Sequence, residues 1–302
     1  MNKVCVLLAA YNGEKYLVEQ IESILNQTEV DVDIYISLDL STDGSYEIIS
    51  EYAKLDNIHL LEYGARYGSA GQNFFNLLLS IDFSSYDYVS FSDQDDIWLD
   101  DKLKQSILSI KNENADAYSG NVTAFWSDGK QCLVKKDYSQ TRYDYLFESS
   151  GPGCTFVLSN KLAIAIQLKL NSKKEQLNTL WLHDWFCYSF ARANGFRWVI
   201  GSQPLMLYRQ HENNEVGANS GAKAIISRAK VVLSGDAFDK VKAQADFLDQ
   251  KEIPIQYINS GTLSSLVKLF FISFECRRKR SEKIFLSVAI LLLSLKKILG
   301  VR

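Results

Sequence analysis

The chain has few prolines, no low-complexity tract and no paired cysteines, and each absence excludes a class of protein. Three prolines in 302 residues argue against long disordered linkers. The cysteines lack the paired spacing of zinc sites, so they predict reduced thiols in a cytoplasmic protein. The first residues lack the charged and apolar regions of a secretory signal, so we expect none. The five cysteines are Cys5, Cys132, Cys154, Cys187 and Cys276.

Net positive charge is confined to the C-terminal tail, because acids outnumber bases in the rest of the chain. Of the net charge of −3, residues 261–302 contribute +7 from nine Lys/Arg and two Asp/Glu, which leaves −10 for residues 1–260. An acidic body binds nucleic acid poorly, because phosphate contacts depend on Lys and Arg. We therefore expect no nucleic-acid partner. The chain also lacks a glycine-rich loop followed by lysine, which disfavours a nucleotidyltransferase.

Apolar runs alternate with amphipathic segments from residue 4 onwards. This alternation predicts an α/β fold with a mostly parallel sheet flanked by helices, and ligands of such sheets bind at the carboxyl ends of the strands. We place a boundary near residue 217, between a domain at 1–217 and a helical C-terminal extension at 218–302. The expected strands are 4–10, 32–38, 58–63, 86–91, 117–126, 153–159, 198–200 and 205–209, and the expected helices are 16–25, 45–53, 73–79, 100–110, 161–170, 182–193, 222–233 and 238–248.

Three carboxylates lie within four residues directly after the predicted strand 86–91. Asp93 and Asp95, two residues apart at a strand end, can both turn towards one Mg²⁺ or Mn²⁺, and Mg²⁺ is typically bound by carboxylates together with substrate phosphates. The alternative is that Asp95 or Asp96 caps the following helix, for which one acid would suffice. The stretch therefore predicts a site for a metal and a diphosphate-bearing ligand.

Two single acids lie at the ends of other predicted elements. Asp39 can accept a hydrogen bond from a nucleobase imide, and a plain strand-to-helix turn explains it equally well. Asp184 stands at a predicted helix start beside His183 and bulky aromatics, where a carboxylate can act as a general base. The alternative for Asp184 is an ordinary helix cap.

Two further segments are compatible with a bound ligand. Arg209 and His211 bring a cation and an imidazole to a strand end, which suits a metal or a diphosphate, although a lone His is more often structural. The glycines of the loop at 150–155 let a backbone approach a ligand closely, and a simple turn is the alternative.

Taken in order along residues 1–217, these segments resemble the family 2 inverting glycosyltransferases of GT-A fold. Within that family the chain is most similar to the bacterial rhamnosyltransferases that build cell-surface polysaccharides. Some positions depart from the family pattern, namely Ala10 in place of Thr, Leu38 in place of Asp and Arg66 in place of Asn. These departures leave the donor nucleotide open. The matching segments are AAYNG at 9–13, Asp39 with STDG at 41–44, DQDDIW at 93–98, HDW at 183–185 and YRQH at 208–211.

The resemblance implies a role for each matched residue. Asp184 is the expected general base, and Asp39 is the acid that reads the base of the nucleotide. Mn²⁺ or Mg²⁺ is expected at Asp95, Asp93 and His211, with Asp95 the more direct ligand and Asp93 nearer the sugar or ribose. The residues expected to contact the nucleotide sugar are Ala10, Tyr11, Asn12, Asp39, Asp93, Gln94 and Arg209.

The implied reaction transfers L-rhamnose from dTDP-L-rhamnose to a hydroxyl of a lipid-linked saccharide. The same fold using UDP-glucose or UDP-galactose is the alternative within enzymes. A catalytically silent sugar-nucleotide-binding subunit is the alternative outside them, and the acid at position 184 disfavours it because such a subunit needs no base.

The C-terminal tail carries two apolar segments around a basic cluster. Segments 266–274 and 284–295 flank residues 277–280 (RRKR) and are shorter than the roughly 20 residues that cross a bilayer. They predict a helix pair lying on an anionic membrane, which would place the protein in the cytoplasm, peripheral on the inner face of the plasma membrane. A helical hairpin packed on the body, or on a second copy in a homodimer, is the alternative.

Overall fold

The computed structural model describes residues 1–211 and 235–299, whose contacts form two compact units. The first unit comprises Met1–Asp137 with Ser150–Gly217, and the second comprises Tyr138–Ser149 with Ala218–Arg302. Residues 138–149, here named the strap, thus leave the first unit and group with the C-terminal helices. The helix expected at 222–233 lies outside the described residues.

The first unit is built around a seven-stranded sheet in the order β10-β6-β9-β4-β1-β2-β3. A smaller sheet has the order β5-β11-β7-β8. The strands are β1 Asn2–Ala10, β2 Val30–Leu38, β3 Ile58–Leu60, β4 Tyr88–Ser92, β5 Ile97–Trp98, β6 Ala117–Gly120, β7 Val122–Phe125, β8 Gln131–Val134, β9 Val157–Ser159, β10 Trp198–Gly201 and β11 Met206–Arg209. The helices of this unit are α1 Leu17–Leu25, α2 Ser45–Tyr52, α3 Ala70–Ser80, α4 Lys102–Asn112, α5 Asn160–Ser172 and α6 His183–Ala193.

The register of the central strands brings their carboxyl ends to one edge. Strand β1 pairs in parallel with both β2 and β4, with Ala10 opposite Leu38 and Leu8 opposite Ser92. The continuous apolar run of β1 is buried from Val4 to Ala10, as expected for a central strand covered on both faces. The loops that follow β1, β2 and β4 therefore meet, as the sequence predicts.

The large sheet is mostly parallel, as expected, with β9 running antiparallel to β4 and β6. Two sequence expectations for this unit were wrong in detail. The expected strand 117–126 breaks at Asn121, whose side chain donates to the carbonyl of Ser202 (2.8 Å) and accepts from the Lys136 amide (2.5 Å), so that β6 and β7 enter different sheets. The expected strand 153–159 begins only at Val157, because Gly153–Thr155 form a 3-10 helix.

The described part of the second unit is helical. Its helices are α7 Asp236–Phe247, α8 Ile253–Ser260, α9 Leu263–Ile272 and α10 Arg280–Ile298. Among the described residues, no helix combines the length and apolar character required to cross a membrane. One face of α10 nevertheless exposes an apolar stripe, defined as Ile284, Val288, Leu291, Leu292 and Leu295.

A buried arginine joins the strap to the C-terminal helices. The Arg278 Nε lies 3.4 Å from Oδ2 of Asp144, and both side chains are almost fully buried. The backbone amide of Arg278 donates to Glu148 Oε1 (2.7 Å), and its Nη2 donates to the carbonyl of Ser149 (2.6 Å). Because removing one partner of a buried ion pair leaves an uncompensated charge, this contact is expected to be important for the strap.

Candidate active site

The loop after β1 is held against the loop after β2. The Asn12 amide donates to Ser41 Oγ (3.0 Å), and the Thr42 amide donates to Asn12 Oδ1 (2.8 Å). Asn12 itself has φ +46°, a left-handed conformation that Asn tolerates better than most residues. The predicted ligand residue Asn12 thus lies at the site and also orders it.

Gln94 connects the acidic loop to this first loop. Its Oε1 accepts from the Tyr11 amide (2.7 Å), and its Nε2 donates to the Tyr11 carbonyl (2.9 Å). Ala10 is buried, and its carbonyl accepts from the Asp39 amide (2.8 Å). Tyr11 is 51% exposed at the edge where the three loops meet.

Asp39 is buried and organises the loop at 64–68. One carboxylate oxygen accepts from the amides of Leu40 (2.8 Å) and Tyr67 (2.9 Å), and the other accepts from the amide of Gly68 (2.8 Å). A carboxylate has about four lone-pair sites, so one remains for a nucleobase. The role of Asp39 in binding the nucleobase stays a prediction. Its observed role is structural, because it holds the loop at 64–68 through backbone amides.

The acids after β4 divide into two adjoining groups. In the first, ligand atoms of Asp93, Asp96 and Cys154 all lie within 4.8 Å of one another. Asp96 Oδ1 accepts from the Arg209 amide (3.0 Å), whereas its buried Oδ2 has no hydrogen-bond partner among the described residues. Burial, with the neighbouring charges of Asp95 and Asp93, raises the pKa of Asp96 well above its ordinary value. An orphaned carboxylate oxygen beside a second acid fits a divalent cation, whereas the thiol suits a hard cation poorly.

The second group is an acid–imidazole pair. Asp95 Oδ2 lies 2.5 Å from Nε2 of His211, and the imidazole stacks on Tyr16 with ring centroids 5.5 Å apart. The structure therefore brings two of the predicted metal ligands together, from segments 116 residues apart in the chain. The sequence did not single out Tyr16, because it looked like an ordinary apolar position of the first helix.

Arg209 is engaged with protein groups. Its Nε donates to the Asp95 carbonyl (2.7 Å), its Nη2 pairs with Glu19, and its guanidinium lies 4.6 Å from the ring centroids of both Tyr16 and Phe125. These contacts fix the end of β11 against the acidic loop. Contact between Arg209 and the nucleotide sugar remains a prediction. The sequence pattern did not indicate that Glu19 would be a partner of Arg209.

Lys102 places a buried amino group behind the first acidic group. Its Nζ lies 3.4 Å from the ring centroid of Trp98 and 3.4 Å from Ser90 Oγ. Burial lowers its pKa to about 7, opposed by the charges of Cys154 and Asp96. A lysine in the first turn of an amphipathic helix is usually solvated, so the sequence pattern did not indicate this residue.

Asp184 lies in the first turn of α6, next to a buried histidine. The His183 ring stacks on Phe74 with centroids 3.8 Å apart, and neither ring nitrogen has a hydrogen-bond partner among the described residues. Asp184 Oδ1 accepts from the Trp185 amide (2.6 Å). The His packing fixes where α6 begins, and thereby where the carboxylate of Asp184 lies.

His183 and Asp184 pack directly against the backbone of Gly153. A Cβ at Gly153 would lie 2.5 Å from His183 Nε2 and 3.2 Å from Asp184 Cβ.

We expect Gly153→Ala to lower the free energy of unfolding by about 1–3 kcal/mol through overpacking. We also expect the transfer activity implied by the resemblance to fall tenfold or more, because the expected general base Asp184 is displaced. Gly151→Ala is the matched control, since its Cβ would have only ordinary contacts, the nearest at 3.4 Å. Equal activity of the two variants would contradict this role of Gly153.

Burial of His183 makes folding stability depend on pH. Burial lowers its pKa to about 3 from the ordinary 6.5. Between these values the unfolded chain binds a proton that the folded chain does not, so stability falls as the pH falls below 6.5. Wild type should therefore lose about 2 kcal/mol more than His183→Phe between pH 7 and pH 5 in urea unfolding. Parallel stability curves for the two proteins would contradict the prediction.

Comparison with known proteins identifies the family of this chain. The family model described as glycosyl transferase family 2 matches residues 5–166. The chain is 40% identical over 287 residues to the dTDP-rhamnosyl transferase RfbG of Shigella flexneri, which covers 94% of this chain and 99% of that protein. It is 27% identical over 182 residues to the UDP-Glc:alpha-D-GlcNAc-diphosphoundecaprenol beta-1,3-glucosyltransferase WfgD of Escherichia coli, covering 59% of this chain and 68% of that protein.

A solved structure gives the fold. The crystal structure of S. aureus TarS 1–349 in complex with UDP-GlcNAc matches with a TM-score of 0.56 at 16% identity, covering 97% of this chain and 81% of that one. Such a likeness shows the fold alone, which is GT-A: a mixed sheet flanked by helices, followed by a helical C-terminal region. With the acidic loop, the family match over more than half of the chain and the near full-length relative, the chain belongs to glycosyl transferase family 2.

Proposed function

We propose that this glycosyltransferase transfers L-rhamnose from dTDP-L-rhamnose to a hydroxyl of a lipid-linked saccharide in surface polysaccharide synthesis. The choice of donor is supported by one observation. The chain is 40% identical to a protein named a dTDP-rhamnosyl transferase, over 99% of that protein's length. The lipid-linked acceptor is supported by the name of the E. coli relative, which specifies a diphosphoundecaprenol-linked sugar.

The proposed reaction is a single displacement. Asp184 accepts the proton of the acceptor hydroxyl while that oxygen attacks the anomeric carbon from the face opposite the nucleotide. The bond from the anomeric carbon to the diphosphate breaks, and the configuration inverts. The position of Asp184 on α6, fixed by His183 and Gly153, supports this role, because a general base must be held within hydrogen-bond reach of the proton that it removes.

The remaining site residues hold the donor. A bound Mn²⁺ or Mg²⁺ would offset charge on the departing diphosphate. The residues proposed to hold it are Asp95 with His211 and the neighbouring Asp93. The three loops joined by Asn12 and Gln94 would bind the nucleotide, with Asp39 turned to its base.

The donor is tested by calorimetric titration of the purified protein with dTDP-L-rhamnose, UDP-glucose and UDP-galactose, with and without Mn²⁺. We expect metal-dependent binding of dTDP-L-rhamnose in preference to both UDP-sugars. A preference for a UDP-sugar would retain the reaction and discard rhamnose. Binding of a donor without measurable transfer would favour a catalytically silent subunit, and failure of all three to bind would refute each of these donors.

We also propose that residues 1–217 carry the chemistry while the extension at 218–302 attaches the enzyme to the inner face of the plasma membrane. The apolar stripe of α10 supports this, since leucine and isoleucine side chains there are 44–49% exposed. Lys279 and Arg280 are exposed at the start of this helix, and positive charge beside an apolar stripe suits an anionic membrane surface.

Membrane attachment is best tested by point substitution. Deletion of residues 261–302 is less suitable, because it would also remove Arg278 and break its buried ion pair with Asp144. We expect the double variant Leu291→Gln, Leu295→Gln to bind vesicles containing phosphatidylglycerol about tenfold more weakly, because two leucines no longer enter the lipid. The control pair is Leu55→Gln, Leu168→Gln, two exposed leucines of the first unit. Equal vesicle binding by both double variants would refute the attachment surface.

A further inference from the structure

The second unit contains a pocket that neither the transfer reaction nor the membrane-facing stripe uses. It has a volume of about 250 Å³ and lies where the start of α7, the turn between α8 and α9, and the last turns of α10 meet. Its apolar lining comes from four helices. The lining side chains are Phe238, Ile258, Leu266 and Leu293.

The rim of this pocket is charged, with a net positive balance. Lys242 and Lys297 line it together with Asp239. Lys242 lies 3.2 Å from Asp239 in a largely exposed ion pair, and such pairs contribute little and exchange partners readily. These two charges balance, so Lys297 supplies the excess positive charge.

Lys297 is held at the rim by the protein. Its Nζ donates to the carbonyl of Gly261, which also lines the pocket. An ammonium has three donors, so two remain for a ligand. Gly235, which precedes α7, lines the same rim and adds no side chain there.

From the apolar lining and the cationic rim, we infer that this pocket binds an anionic amphiphile, a single phosphate on an apolar chain. The chain occupies the space between the four apolar residues, and the phosphate contacts Lys297 with Lys242 beside it. A saturated lipid phosphate and an isoprenoid phosphate share this chemistry. The inference does not depend on the donor, the acceptor or transfer activity, because no residue of the first unit takes part.

The test uses the full-length protein and three probes: dodecyl phosphate below its micelle concentration, farnesyl phosphate and inorganic phosphate. Titration calorimetry should show saturable binding of at least one of the two chain-bearing probes, and whichever chain binds more tightly identifies the source. Inorganic phosphate should bind at least tenfold more weakly, because it lacks the chain.

Two variants locate the site. Lys297→Gln should lower the affinity about tenfold by removing a charge-assisted hydrogen bond. Leu293→Trp should block the chain. The matched control is Lys283→Gln, a lysine of α10 outside the pocket, which should bind as wild type does. Thermal unfolding of each variant checks its fold. The inference is overturned if neither chain-bearing probe binds wild type, or if Lys297→Gln and Lys283→Gln bind alike.

Discussion

Asp184→Asn should abolish sugar transfer while leaving donor binding unchanged. General-base catalysis contributes about 10²- to 10⁴-fold, so the turnover number should fall by at least about 100-fold. The side chain keeps its shape and can still accept from the Trp185 amide, which should preserve the start of α6. The loss of one acid at a helix N-terminus should cost only about 0.3–1 kcal/mol of stability.

The control for this substitution is Asp128→Asn. Asp128 is exposed in the turn before β8 and pairs with Lys130 at 2.6 Å, so its neutralisation should leave transfer at the wild-type rate. Donor binding by calorimetry and initial rates of transfer are measured on both variants. A fully active Asp184→Asn would assign the base to another residue, and lost donor binding would mean that the carboxylate serves the nucleotide sugar instead.

Asp95→Ala should remove most of the metal-dependent part of donor affinity. It deletes the carboxylate and releases His211, which now lies 2.5 Å away. We expect donor affinity in saturating Mn²⁺ to fall about 100-fold, with little change in the absence of metal, because a metal between protein and diphosphate contributes several kcal/mol. Isothermal titration with and without Mn²⁺ gives both numbers.

Asp93→Asn and Asp100→Asn complete this comparison. Asp100 belongs to the same acidic stretch but is exposed, so its neutralisation should leave the donor affinity unchanged. If Asp93→Asn loses affinity while Asp95→Ala does not, the cation belongs to the group of Asp93, Asp96 and Cys154. If both variants lose donor affinity, the Asp93 group and the Asp95–His211 pair bind the cation and the diphosphate jointly.

The elements predicted best were those in which pattern and burial agree. Strand β1, buried throughout its apolar run, and α1, with its apolar residues at helical spacing, were confirmed to within a few residues. Strand β6 was predicted less well, because the bend at Asn121 depends on partners at Ser202 and Lys136 that no local pattern shows. The antiparallel direction of β9 likewise depends on pairing with β4 and β6.

The candidate site shows the same division between local and distant information. The acids could be named from the sequence because they follow strand ends in a recurrent order. Their partners could not, since Glu19 lies 190 residues from Arg209 and Gly153 meets His183 only through the fold. Lys102 escaped notice because a lysine is normally solvated, and only packing against Trp98 reveals its burial.

The strap has a consequence for synthesis of the protein on the ribosome. Glu148 and Arg278 are 130 residues apart, so the strap emerges long before its partner exists. At about 5–20 residues per second this interval is about 6–26 s. Throughout it the ion pair between Asp144 and Arg278 cannot form. The strap therefore gains its contacts with Arg278 only when the C-terminal helices have been made.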